Sequence, residues 1–364
     1  MFSRRLADVL SVAPAGSDCE ELSIAIDGET SKALNYVSLT GKVLVGDRVI
    51  VNTTAVELAL GSGGYHFVLL NLKQPEQFLS GVGHILKLRY TPMQLRVLSI
   101  EEEDSPYHQV MAQAASLAGM PVAVAELHSM LAPLALLLKQ EKPGIRLAYL
   151  MTDGGALPAF LSRSLCELRR QEIICGTITT GHSFGGDLEA INVYSGLLAA
   201  RHVLHADVAI ISMGPGAAGT GTKYGFSGLE TADNINRVFS LKGQAVMVSR
   251  VSFADARERH RGISHHTLTA LSTATLVSAD VPLPLLAAAE KRFLAAQVKR
   301  SGLADKHRIF YYDQLSLKIL AENKHFCSTM GRSLEDDSVF FLAVAAAARH
   351  LSALLAGVSA VVRE

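Results

Sequence analysis

Residues 252–264 bring together Asp255, Arg257, Arg259, His260 and Arg261, and the paired histidines His265 and His266 follow directly. Ser264 is a good helix N-cap, which places both histidines in a first helical turn. The positive end of a helix disfavours imidazolium, so the rings are expected to be neutral and able to act as bases, acceptors or metal ligands. Arg257, Arg259 and Arg261 are of a type that clamps phosphate or carboxylate; alternating arginines on a solvated loop are the plainer reading. His128, His182, Asp153, Asp187 and Asp255 are expected to approach from neighbouring loops. In that constellation His265 or His266 would be the base, and Asp153 or Asp187 an orienting group or metal ligand. A divalent metal suits these residue types. Dense H-x-x-x-H or H-E-x-x-H spacing is absent, so the identity of any metal stays open.

Glycine-rich turns accompany these residues. The run from Gly214 through Gly216 to Gly219 matches a dinucleotide fingerprint that follows a strand. In such a fingerprint the helix starts inside the motif, and here Gly219, Gly221, Gly225 and Gly228 would all fall within it. Ser227-Gly228-Leu229-Glu230 reads instead as a capping box that starts a helix near residue 228, and no acidic residue ends the following strand. NAD is therefore disfavoured. An anion cradle built from Gly214, Gly216, Gly219, Gly221, Thr220, Thr222 and Lys223 is the better functional reading, with a long structural turn as the alternative. Gly181-His182-Ser183-Phe184-Gly185 fits the nucleophile-elbow pattern, and Ser183, Asp255 and His260 or His265 supply a hydrolase order. Asp187 looks like the N-cap of the next helix, which would start too late for an elbow. Asp153-Gly154-Gly155 resembles a strand-end carboxylate beside free backbone amides, ahead of Pro158; an Asx-type turn is the simpler alternative.

These loops need a scaffold that gathers them. Apolar runs at Pro121–Ala125, Ile145–Met151, Glu172–Thr179, Asp207–Met213 and Ala245–Val251 predict strands. Helices are expected at Met130–Gln140, Pro158–Arg170, Leu188–His202, Leu229–Leu241 and His265–Leu276, with a further strand at Arg308–Tyr312 and two C-terminal helices. Continuous apolar strands alternating with helices indicate a Rossmann-like, doubly wound, mainly parallel sheet over residues 106–364. All the loops above then fall on its carboxyl edge, where such sheets bind ligands. Residues 1–105 predict a small β-rich domain, a barrel or sandwich. Its expected strands are Leu22–Asp27, Ala33–Leu39, Lys42–Val45, Arg48–Asn52, Val56–Leu60, Tyr65–Leu72, Ile85–Tyr90 and Arg96–Ile100.

Composition narrows the partners. The 364 residues carry 34 basic and 34 acidic side chains, which leaves no electrostatic footprint for nucleic acid or an anionic membrane surface. Aromatic content of 6% without Trp gives little material for base stacking. Cys19, Cys166, Cys175 and Cys327 are scattered, as free thiols in a reducing compartment would be. Mean hydropathy is +0.25, and two segments carry features of a membrane or export signal. Met1–Gly16 has Arg4 and Arg5 before a short apolar stretch, but Asp8 interrupts it. Val339–Val362 is apolar but holds Arg349 and His350 at its middle, which suits a buried or subunit-interface helix better than a bilayer. A cytoplasmic homo-oligomer is the expectation.

Several of these runs also resemble one bacterial family. They are Gly46-Asp47 with Asn52-Thr53-Thr54-Ala55, Gly83-His84-Ile85 with Lys87-Leu88-Arg89-Tyr90-Thr91-Pro92, and Met151-Thr152-Asp153-Gly154-Gly155-Ala156-Leu157-Pro158. Gly185-Gly186-Asp187, Met213-Gly214-Pro215-Gly216 with Gly219-Thr220-Gly221-Thr222, and Gly262-Ile263-Ser264-His265-His266-Thr267 complete the set. The combination spans nearly the whole chain and resembles domain-of-unknown-function family 3866. That resemblance implies a bacterial protein and brings no assigned residue roles. The residues themselves favour binding of a small phosphate- or carboxylate-bearing ligand, with hydrolysis or group transfer as the chemistry. A non-catalytic sensor or assembly module, and a serine hydrolase using Ser183, are the rival readings.

Overall fold

The computed structural model describes residues 2–78 and 81–357, so Met1 and the end of the Val339–Val362 stretch lie outside the described residues. The chain divides into two compact units. One comprises Met1–Val97 with Phe160–Cys166, and the other Leu98–Ala159 with Glu167–Glu364.

The first unit is a closed barrel of β1 (Arg4–Pro14), β2 (Cys19–Ile26), β3 (Glu29–Tyr36), β4 (Arg48–Asn52) and β5 (Tyr65–Asn71). Its order is β1-β2-β3-β5-β4, with β3 and β5 parallel and the other pairs antiparallel. This is a five-stranded Greek-key closure of the kind that OB folds use. Ala7, Val9, Leu22, Ile24, Ala33, Val49, Val51 and Val68 fill its interior. Arg4–Pro14, with the two arginines and the short apolar stretch, forms the first barrel strand. Two expected strands are absent: Val56–Leu60 is replaced by a short helix, Thr54–Glu57, and Lys42–Val45 is a connector that buries only Val43. Two short strands, β6 (Ile85–Lys87) and β7 (Leu95–Val97), form a separate antiparallel ribbon.

The second unit is built on eight parallel strands: β8 (Pro121–Ala125), β9 (Leu147–Thr152), β10 (Gly176–Thr180), β11 (Leu188–Ala190), β12 (Val208–Met213), β13 (Gln244–Val248), β16 (Asp280–Pro284) and β17 (Arg308–Tyr312). Between β13 and β16, β14 (Val251–Ser252) and β15 (Gly262–Ile263) make a small antiparallel ribbon. The sheet order is β11-β10-β9-β12-β8-β13-β16-β17. Every residue of β8, β9, β10 and β12 is buried, so both faces of the sheet are covered. Helices Leu131–Glu141 and Ser338–Leu355 pack together, as do Val193–His202 and Glu230–Ser240. The apolar C-terminal helix is therefore largely core. His350 is fully buried and bonds to Asp280 and Tyr312, whereas Arg349 is exposed and pairs with Glu141.

Local competition moved several boundaries. β11 interrupts the helix expected at Leu188–His202. That helix starts at Val193, and its cap is Asn192, whose side chain accepts from the Ser195 amide, rather than Asp187. β16 is hidden in the sequence by Pro282 and Pro284, which argue against an interior strand. It tolerates them because its pairing with β13 is reduced to one residue pair, Val246 with Asp280. The helix expected at Pro158–Arg170 splits into a 3-10 turn, Ala159–Leu161, and a helix, Arg163–Arg170.

Candidate functional site

Adjacent strands β8 and β13 send their connections to opposite sides of the sheet, one toward β9 and the other toward β16. Divergence of this kind opens a crevice at the carboxyl ends of the strands. Glu126 emerges there from β8, and Arg250 two residues after β13. The β14–β15 ribbon then ties off a loop that returns through His260 to Ser264. Ser264 accepts from the His266 amide as the N-cap of helix His265–Thr269, as its sequence position foretold. The helix does not run on to Leu276 as a regular α-helix but widens into a π turn at Ala270–Ala274, a feature frequent near functional sites.

These elements form a cavity of about 160 Å3, lined by Glu126, Arg250, Arg257, Arg259, His260, His266, Ala217–Gly219 and Gly221, among others. Glu126 is almost fully buried. It accepts from Thr267 Oγ1 at 2.6 Å and meets His266 Nδ1 at 3.2 Å, with Arg250 3.9 Å away. Phe226 stacks on His266, the two rings parallel with centroids 3.9 Å apart. The carboxylate and the aromatic face together fix the imidazole plane. His260 Nδ1 lies 2.8 Å from Ser264 Oγ, and His265 Nε2 is buried with no hydrogen-bond partner. One nitrogen from each of His260, His265 and His266 lies within 4.8 Å of the other two.

Burial, with Arg250 and Arg257 nearby, pushes the His260 pKa down to about 3. Burial also lowers that of His265, assisted by His266 and Arg259. For His265, the neutral ring expected from a helix dipole thus arises mainly from desolvation, with cationic neighbours adding to it. Asp255 anchors the cations. It accepts from Arg257 Nε at 3.0 Å and from its terminal nitrogen at 2.9 Å, and bonds Arg250 at 3.1 Å. Hydrogen bonds from Arg257 hold the Asp255 carboxyl well below the usual carboxylate range. Arg332, 3.6 Å from Asp255, is also held by Asp337 at 3.0 Å. Arg259 differs: it stands against Gly221 and forms no ion pair among the described residues.

The expected single constellation separates. His260, His266, Arg257 and Arg259 line the crevice, with His265 packed on the two histidines and Asp255 bonded to Arg257 and Arg250. Asp153 instead accepts from the His182 amide at 2.9 Å, and the left-handed Gly181 lets the two loops approach this closely. Asp187 bonds the Thr177 amide at 2.8 Å and pairs with Arg169. Ser183 is fully buried, and its hydroxyl faces the Met151 and Thr180 carbonyls rather than an open elbow. Arg261 lies outside the crevice lining, over the Phe293 ring at 5.8 Å.

The glycine loop is also only partly as expected. Gly214 and Gly155 meet backbone to backbone, and Ala156 N–H donates to Pro215 O at 2.7 Å. Thr220 and Thr222 bond to each other and to Gly225, so they fasten a hairpin rather than present two spare donors. Lys223 lies over Tyr224 at 5.2 Å. Gly216 has a positive φ in the turn, and Gly219 lies beside His266. The regular helix starts at Glu230, after a 3-10 turn, Ser227–Leu229. No capping box forms: Ser227 Oγ accepts from Ala218 N, and Glu230 accepts from Thr152 Oγ1 at 2.6 Å.

Sequence reasoning gave no role to Glu126, Arg250 or Phe226. Two of them had a visible signal, a lone charge directly after or close to the end of an apolar strand. His128 was expected to approach this site from its loop. It turns toward Tyr149 and the Met213 carbonyl, and burial drops its pKa to about 4.

Fold and site together define a doubly wound α/β protein with an added five-stranded barrel and a cationic, histidine-lined crevice at a sheet switch point. A family model described as a protein of unknown function (DUF3866) matches residues 32–348, and the chain belongs to that family. No curated protein and no solved structure matches it.

Proposed function

We propose that the β8–β13 crevice binds a small phosphate- or carboxylate-bearing molecule and acts on it by hydrolysis or group transfer. The observation that carries this reading is the charge arrangement. Arg250 and Arg257 are neutralised by Asp255 and Glu126, while Arg259 remains a spare guanidinium at the cavity wall. A cation without an internal partner, beside backbone that carries no side chains at Gly219 and Gly221, suits an anion of modest size. His266, oriented through Nδ1 by Glu126, presents its other nitrogen toward Gly219 and would serve as the base. The ligand is expected to be small because the cavity is small.

Calorimetric titration of the full chain, kept metal-free with a chelator, tests the binding step with inorganic phosphate, pyrophosphate and citrate. At least one should bind, and Arg259→Ala should weaken it about tenfold, as for loss of one charge-assisted contact. Absence of binding by all three, or binding that Arg259→Ala leaves unchanged, refutes the reading.

A further inference from the structure

We propose that His260, His265 and His266 form a binding site for one divalent transition-metal ion of the zinc type, with Glu126 orienting His266 from behind. The site shares its crevice with the anion reading and rests on it only for the open side of the ion; Arg259, which carries the anion reading, is not a ligand, and with the ion bound His266 Nε2 is a ligand rather than a base.

Three observations carry the proposal. First, the donors converge: one nitrogen per ring falls within 4.8 Å of the others, and ring centroids are 4.3–4.9 Å apart. Zinc–nitrogen bonds of about 2.0–2.1 Å in a tetrahedron separate the nitrogens by roughly 3.4 Å, so closure needs small ring movements only. Second, the other nitrogens are engaged where a metal site needs them to be. Nδ1 of His266 meets Glu126 and Nδ1 of His260 meets Ser264, which leaves Nε2 of each for the ion. A carboxylate behind a ligating histidine is the usual supporting arrangement. Third, His265 Nε2 is buried without a partner, although a buried polar nitrogen ordinarily has one. A metal at the centre of the trio would satisfy it.

The donor set selects the ion. Three imidazoles with no thiolate or carboxylate among them suit zinc, cobalt, nickel or copper and do not suit magnesium or calcium. Three protein ligands leave a fourth position, as catalytic zinc sites do. His260 and His266 line the cavity that Arg257 and Arg259 also line, so an open position would lie in reach of that cationic wall. Positive charge there disfavours a bare cation and favours one that carries water, hydroxide or an anion on its open side. Asp255 and Glu126 balance Arg250 and Arg257 at the perimeter.

The test is zinc alone added to the full chain after chelator treatment and dialysis, read by competition with a chromophoric chelator. One ion per chain is expected. Glu126→Gln should weaken it about 10–100-fold, and His265→Ala and His266→Ala should weaken it more. X-ray absorption at the zinc edge of the wild-type protein needs no variant and should show an imidazole nitrogen shell at about 2.0–2.1 Å. Absence of stoichiometric zinc, affinity unchanged in both histidine variants, or a shell of sulfur or of oxygen alone would overturn the proposal. Because phosphate binding is measured without metal, each reading can fail while the other stands.

Discussion

Glu230→Gln offers a quantitative check on the electrostatics of the carboxyl edge. Glu230 opens helix Glu230–Ser240, beside Thr152 and the Asp153 loop. Burial, reinforced by the Asp153 charge, raises its pKa from the ordinary 4.5 to about 7. In the unfolded chain the carboxyl ionises near 4.5, whereas in the folded chain it keeps its proton until about pH 7. A raised folded-state value means that the stabilising contribution is complete below pH 4.5 and is lost as pH rises to about 7. At about 1.4 kcal/mol per pH unit, the gap corresponds to roughly 3 kcal/mol. Glutamine keeps an oxygen for the Thr152 hydroxyl but has no proton to lose. The variant should therefore match the wild type near pH 4, gain on it through pH 5–7, and exceed it by roughly 3 kcal/mol at pH 8. Urea denaturation followed by circular dichroism across that range measures the difference. A difference that does not change with pH, or a variant less stable at pH 8, would refute the reasoning.

Two other perturbations address the scaffold of the crevice. Asp255→Asn leaves Arg250 buried with its nearer carboxylate gone, and should cost about 3–5 kcal/mol at neutral pH. The Asp255 pKa is depressed, so its contribution exists above the unfolded value of 3.8 and fades as pH falls through the folded value; acid denaturation curves of the two proteins should converge. Gly155→Ala places a methyl 2.4 Å from the Gly214 carbonyl oxygen, which would separate two loops that meet backbone to backbone. Overpacking of that kind costs about 1–3 kcal/mol and should appear as faster amide exchange in the Gly214–Phe226 segment.

The parallel sheet was legible because its inner strands are apolar runs: Pro121–Ala125 matches β8 end to end, and the edge strand β17 also matches its expected range, Arg308–Tyr312. β16 was not, since its two prolines violate the rule by which interior strands are recognised, and only the sparse pairing with β13 explains their acceptance. Within the site, the His-rich segment and its Ser264 cap could be read directly because capping is local. Asp153 and Asp187 have the residue type and loop position of site residues, yet one oxygen of each is taken by a backbone amide, that of His182 or of Thr177. Such bonds depend on how two loops meet, and neither loop carries that information alone. Glu126 was passed over for the converse reason. Its partners, His266 and Thr267, lie about 140 residues further along the chain, and only the β8–β13 adjacency brings them together.

The central claim is that an anion sits in the β8–β13 crevice. Crystals of the full chain grown with selenate, a tetrahedral oxyanion with an anomalous signal, would locate it directly. The account predicts a selenium peak against Arg259 and the Gly219–Gly221 backbone, within reach of Arg257. A crevice without a peak, in crystals that show selenate bound elsewhere on the chain, would contradict it.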